Sequence, residues 1–148
     1  MSTLAQKIRV FVSNNLLKPT SKATEILILD IHPKDLIEIA GGDENITIKF
    51  KEYSHLIDVS AINHIYKKHG NMAKELEMDQ VAVTIADYEL IPDIIRNPDE
   101  VSVSKNKRNL LLLVYRKKID NVYYYVEEIR EGKKMLALVT MYIKKSPA

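Results

Sequence analysis

"LLLLVYRKKIDNVYYYVEEIREGKKMLALVTMYIKK", residues 110–145, decides the fold. Three runs in it have strand character, "LLLLVYRKK", "VYYYVEEI" and "KMLALVTMYIKK", and the short polar connections "IDN" and "REGK" join them. Successive side chains on a strand point to opposite faces, so period-two runs of this length read as half-buried strands. "EVSVS", residues 100–104, is a fourth, linked to the rest by "KNKRN". Loops this short join antiparallel neighbours, whereas parallel strands need a long crossover. The stretch therefore predicts a four-stranded antiparallel meander.

Upstream the period lengthens. "STLAQKIRVFVSNNLL" puts Leu4, Ile8, Phe11 and Leu16 at helical spacing, and Pro19 ends the run. "ATEILILDI" reads as a buried strand. "HPKDLIEIAGG" predicts a helix, with Pro33 as its first residue and Gly41 and Gly42 as its stop. "ENITIKFKEY" alternates as a half-buried strand does.

"DVSAINHIYKKHG", residues 58–70, reads as a helix capped by Asp58 or Ser60. Val59, Ile62 and Ile65 or Tyr66 would face the core, with Gly70 in left-handed geometry at the end. A further helix starts near Thr84, whose spacing to Asp87 is that of a capping box, and carries Leu90, Ile91, Ile94 and Ile95 to Pro98. Pro92 inside it marks a kink or a later start. The fold class is then α+β: N-terminal helices packed on a C-terminal four-stranded antiparallel sheet. A chain of 148 residues suits one hydrophobic core, so 1–148 is read as a single domain.

The chain has no cysteine, which excludes disulfides, thiolate zinc sites and a cysteine nucleophile. Its N-terminus lacks a signal-peptide pattern and no apolar run approaches membrane-spanning length, so synthesis in the cytoplasm without membrane insertion is expected. The formal charge of +2 conceals an asymmetry. From Val101 onward there are eleven Lys/Arg against four Asp/Glu, whereas Ile57–Glu100 has four against nine. Clustered positive charge is commonly just a solvated face; its functional reading is a polyanion partner.

Strand alternation predicts which side chains share a face. Ala137, Val139, Met141 and Ile143 would face the helices, leaving Leu136, Leu138, Thr140 and Tyr142 on the other side. Two-residue turns at Glu131–Gly132 and Asp120–Asn121 would bring Tyr123, Tyr125 and Glu127 onto the Thr140/Tyr142 face, with Arg116 opposite Tyr125. A slip of one residue would reverse these assignments. An arginine, a carboxylate, phenols and a hydroxyl on one surface suit a phosphodiester site as well as an ordinary solvated sheet face.

His64 and His69 are five apart, so on an ideal helix they point about 140° from one another. The pair lacks the i, i+4 spacing and the carboxylate of a helical zinc site, and no metal or cofactor is expected. As acid/base candidates they suit chemistry near neutral pH. The bland reading is an exposed histidine plus one in a helix's last turn.

Taken together, "INHIYKKHG", "ADYELIPDIIRNPDEV", the basic meander with "YYYVEE" and the closing "LVTMYIKK" resemble the phage-associated branch of the barnase/EndoU/colicin/RelE-like nuclease superfamily. The resemblance spans residues 46–145, a nuclease-like core, with residues 1–45 as a helix/strand extension. It implies a small metal-independent ribonuclease of phage-effector or toxin type, with RNA, tRNA included, as its partner. The fold implied is helices on a four-stranded antiparallel sheet. It nominates His64 and His69 as catalytic, and the closing "TMY" nominates Thr140 and Tyr142.

Arg116, Arg130 and Lys144 are phosphate-binding candidates by charge and position, and Tyr123 and Tyr125 are candidates for base stacking. The expected reaction is attack of a ribose 2′-hydroxyl on the adjacent phosphorus, leaving a 2′,3′-cyclic phosphate. His64 or Glu127 would act as base and His69 as acid. A toxin would call for a protecting inhibitor whose acidic surface matches the basic strands. The competing expectation is a non-catalytic RNA- or protein-binding module of phage or mobile-element origin.

Overall fold

A computed structural model describes residues 3–16, 25–39 and 46–146. The expected stops at Pro19, Gly41 and Gly42 lie outside them. Helix α1 (Leu4–Asn15) begins at a reciprocal cap in which Thr3 Oγ1 accepts from the Gln6 N–H and Gln6 Oε1 accepts from the Thr3 N–H. Its Ile8 and Val12 are fully buried, and Leu4, Phe11 and Leu16 pack beside them. Strand β1 (Ile26–Ile28) follows where "ATEILILDI" predicts one.

The helix expected over "HPKDLIEIAGG" is instead a strand, β2 (Leu36–Ile39), paired antiparallel with β3 (Ile46–Lys49). Proline and glycine punctuate hairpins as readily as helices. What settles the choice is long-range: Ile37 lies opposite Ile48 and both pack against the core. Strand β4 (Ser54–Asp58) was not foreseen. It then hands the chain to helix α2 (Val59–His69), where Asp58 Oδ1 accepts from the Ala61 N–H at 2.7 Å.

Asp58, not Ser60, is thus the cap, and Ile65, not the exposed Tyr66, enters the core. Gly70 closes α2 in right-handed geometry, φ −93° and ψ −4°, contrary to the left-handed expectation. Glycine is needed here for a different reason: a Cβ would stand 2.4 Å from the Tyr66 carbonyl oxygen.

Helix α3 (Met72–Glu77) and the short strand β5 (Gln80–Val81) come next, followed by α4 (Ile85–Tyr88) and α5 (Ile91–Arg96). Thr84 and Asp87 form the expected reciprocal cap. Pro92 sits in the first turn of α5, where its missing N–H leaves no helical bond unmade, so the later start is the one adopted.

The meander is β6 (Glu100–Lys105), β7 (Leu111–Ile119), β8 (Asn121–Arg130) and β9 (Met135–Lys144), all antiparallel. It belongs to a larger sheet than the four strands expected. Among the described residues that sheet has seven, in the order β1-β4-β9-β8-β7-β6 with β5 also on β9, and β4 runs parallel to β9. The core lies between this sheet and α1, α2, α4 and α5, and includes Ile62, Ile65, Tyr88, Ile94, Leu113, Tyr125 and Met141. No described helix is long and apolar enough to cross a membrane.

Candidate active site

One inserted residue determines which side chains meet. Val126 pairs with Thr140, but the next residue, Glu127, pairs with Leu138, so Val139 bulges out of β9. A bulge reverses the facing of everything beyond it. Leu136 and Leu138 before it, and Met141 and Ile143 after it, therefore all enter the core. The expectation held for Met141 and Ile143; Ala137 is also fully buried, Val139 is not, and Leu136 and Leu138, expected on the other face, enter the core.

The same geometry corrects the partners on β8. Tyr123 lies opposite Ile143, Tyr125 opposite Met141 and Glu127 opposite Leu138, so all three turn toward the helices, away from Thr140 and Tyr142. Tyr123 donates to Asp87 Oδ1 at 2.6 Å, and Tyr125 is fully buried. Tyr123 is 7% exposed and Tyr125 not at all, so neither presents a ring to a nucleic acid. Glu127 is fully buried and accepts from His55 Nδ1 at 2.6 Å.

The turns also differ from the two-residue turns expected, and the one at Asp120 shifts the phase of β7 against β8. Ile119 pairs with Asn121 around Asp120 alone, at φ 62°, and a four-residue turn with Lys134 at φ 52° separates Arg130 from Met135. Arg116 consequently faces Tyr124, not Tyr125.

On the face turned away from the core, Tyr124 takes the place expected of its neighbours. It pairs with Tyr142, and the two rings stack at 4.8 Å with planes 5° apart. Lys144 Nζ lies 5.2 Å from the Tyr124 ring centre, within cation–π range. The His69 ring sits 5.6 Å from that of Tyr142. A continuous row of His69, Tyr142, Tyr124 and Lys144 results, with Arg116 beside Tyr124 and Thr140 one strand step from Tyr142.

The row exists because of how β9 is edged. β4 pairs with residues 135–137 of β9, and β5 with Ile143 and Lys144. Helix α2 packs against β9 as well, and the His69 carbonyl accepts from the Val83 N–H at 2.8 Å, tying its C-terminus to the segment after β5. His69 thereby reaches Tyr142 although Ile62 and Ile65 of the same helix face the core.

Two details of the row bear on chemistry. His69 Nδ1 lies 3.3 and 3.2 Å from the two carboxylate oxygens of Glu75, a residue with no exposure. The carboxylate orients the ring and leaves the other nitrogen for proton transfer. Thr140 Oγ1 is buried without a hydrogen-bond partner, and partial burial raises the Tyr142 phenol pKa, keeping it a donor at neutral pH.

His64 stands apart. It is exposed on α2, and its pKa is lowered by partial burial, then by the charges of Lys68 and His69. Arg130 is not in the row: it lies six residues along β8 from Tyr124, about 20 Å away. There it contacts Glu128 at 3.2 Å and Asp58 at 3.9 Å. Sequence reasoning missed Glu75, Tyr124 and His55. The three consecutive tyrosines carried the only signal for Tyr124, and nothing in "KHGNMAKELE" singles out Glu75. No group of three or more potential metal ligands forms among the described residues.

A histidine-bearing helix set against the edge of a basic antiparallel meander, with a hydroxyl and an aromatic two apart on the last strand, makes up a small α+β domain. Residues 38–147 match the family described as phage-Barnase-EndoU-ColicinE5/D-RelE like nuclease3, and the chain belongs to that family. No curated protein and no solved structure matches the chain.

Proposed function

We propose that the protein is an endoribonuclease that cleaves RNA by internal transesterification on the Tyr142/Tyr124 face of the sheet. The observation that carries this reading is the convergence of His69, held by Glu75, with Tyr142, Tyr124 and Lys144. His64, kept neutral near pH 7 by its lowered pKa, takes the proton of a ribose 2′-hydroxyl. The 2′-oxygen bonds to phosphorus, the bond to the 5′-oxygen breaks, and His69 gives that oxygen a proton. The products are a 2′,3′-cyclic phosphate and a free 5′-hydroxyl, with no metal drawn into the step.

Lys144, Arg116 and the Thr140 and Tyr142 hydroxyls stabilise the charge on the phosphorane oxygens. The Thr140 hydroxyl lacks a partner, and a phosphate oxygen that displaced the atoms enclosing it would supply that hydrogen bond. Tyr124, not Tyr123 or Tyr125, is the ring positioned to stack on an unpaired base. Glu127 has no part in this scheme because it faces the other way.

The test is to incubate the protein with tRNA and single-stranded RNA in EDTA beside His69→Ala, and to analyse the fragment ends. Cleavage by the wild type alone, with cyclic phosphate ends, is expected. Cleavage that requires a divalent metal, or that survives in the variant, would refute the scheme.

A further inference from the structure

The core side of the sheet holds a second polar constellation that the nuclease scheme does not use. His55 on β4 and Glu127 on β8 are 1% and 0% exposed, and their 2.6 Å contact occupies His55 Nδ1. The other ring nitrogen, Nε2, is buried without a hydrogen-bond partner. His55 lines a cavity of about 420 Å³ whose walls include Ile37, Ile95, Val101 and the Tyr115 ring. His32, Lys34 and Arg96 also line it, against one acid, Glu38.

Each feature limits what could fill this space. The volume falls within the ordinary range of small-molecule sites, and the walls mix apolar with polar side chains. Exposed Lys34 and Arg96, the latter also donating to the Asp30 carbonyl at 3.3 Å, suit an anionic group at the solvent end. His55 lines the cavity and its Nε2 lacks a partner, so a polar atom on the enclosed part of a ligand would suit it. A neutral His55 ring that donates through Nδ1 to Glu127 accepts at Nε2, whereas an imidazolium donates there. A heteroaromatic base carries both donors and acceptors on its edge and satisfies either state. An aliphatic or lipid anion presents only hydrocarbon at that depth and satisfies neither.

We infer that this cavity is a binding site for a nucleoside monophosphate, with the base enclosed beside Tyr115 and His55 and the phosphate held by Lys34 and Arg96. The site is separate from the His69 row. His55 pairs with Leu136, near the start of β9, and faces the core, whereas Tyr142 lies near the strand's other end on the opposite face. The inference does not rest on the ribonuclease reading.

The experiment is calorimetric titration of the full chain with AMP, GMP, CMP and UMP, and separately with adenosine and inorganic phosphate. The imidazole nitrogen resonances of His55 and His69 would be followed by NMR in the same samples. At least one monophosphate should bind with a Kd of about 1 mM or tighter, more tightly than adenosine or phosphate, and should move the His55 signals and not those of His69. The double variant Lys34→Gln/Arg96→Gln changes only exposed side chains and should weaken binding about tenfold or more.

Three results would overturn the inference. These are no binding by any of the four monophosphates, inorganic phosphate binding as tightly as they do, or binding that moves His69 and leaves His55 unchanged. Because His55→Gln disturbs a buried pair and could unfold the chain, the NMR readout on the wild type takes its place.

Discussion

Two histidines of this chain each lean on a buried glutamate, in opposite settings. His55 and Glu127 are both enclosed, with 2.6 Å between them, and the free ring nitrogen of His55 is buried. His69 is 13% exposed on a Glu75 that is wholly buried, its contacts are longer, and its ring lies against the tyrosine row outside the core. The pairing is chemically the same in both. What differs is access: one imidazole can meet a polymer lying along the sheet, and the other only what enters a cavity.

The most direct way to break this comparison is to remove each histidine in turn. His69→Ala should lower RNA cleavage by about 10²- to 10⁴-fold, the usual contribution of one acid/base group, with the far-ultraviolet spectrum unchanged. His55→Ala should leave the cleavage rate per folded molecule intact while lowering stability. If the folded His55 variant loses cleavage and the His69 variant keeps it, the two sites have been assigned the wrong way round.

Stability should separate the pairs next. Glu127→Ala strips a wholly buried histidine of its partner, and removal of one member of such a pair costs about 3–5 kcal/mol. Urea unfolding would measure this. A loss near zero would mean that the His55–Glu127 contact contributes little to holding β4 and β8 in register.

A smaller effect sharpens the role of His64. Its pKa is lowered, so cleavage that depends on its neutral form should persist below the pH at which an ordinary imidazole protonates. Lys68 is one of the charges that lower it, so Lys68→Ala should raise that pKa and move the acid limb of kcat/KM to higher pH. An acid limb that does not move would leave His64 without the role of base. Smallest is the salt response: Lys144→Ala should reduce the slope of log binding constant against log salt by about 1.

The elements themselves were largely legible. The period-two runs located β6 to β9, the apolar spacing located α1, and Asp58 with the Ile62 and Ile65 positions located α2. Two kinds of information were not. β2 and β3 are short, and their pairing depends on Ile37 meeting Ile48 across the chain, which local punctuation cannot express. β4 is a five-residue strand placed by β1 and β9 on either side, so its identity comes from neighbours distant in sequence.

At the site, residue types were readable and phase was not. "TMY" and "KHG" pointed to Thr140, Tyr142 and His69, and all three lie at the β9 edge. "YYYVEE" offers three identical residues in succession, so alternation could start on either face. The turn around Asp120 and the bulge at Val139 fixed that phase, and neither leaves a clear mark in composition. One residue of phase replaced Tyr123, Tyr125 and Glu127 by Tyr124.

The central claim is that RNA lies along the His69, Tyr142, Tyr124 and Lys144 row. NMR of the protein mixed with an RNA whose 2′-hydroxyls are methylated, and which so cannot be cleaved by this route, tests it directly. The account predicts shifts concentrated at His69, Thr140, Tyr142, Tyr124 and Lys144. Shifts centred on His55, Tyr115 and Arg96, with that row unmoved, would contradict it.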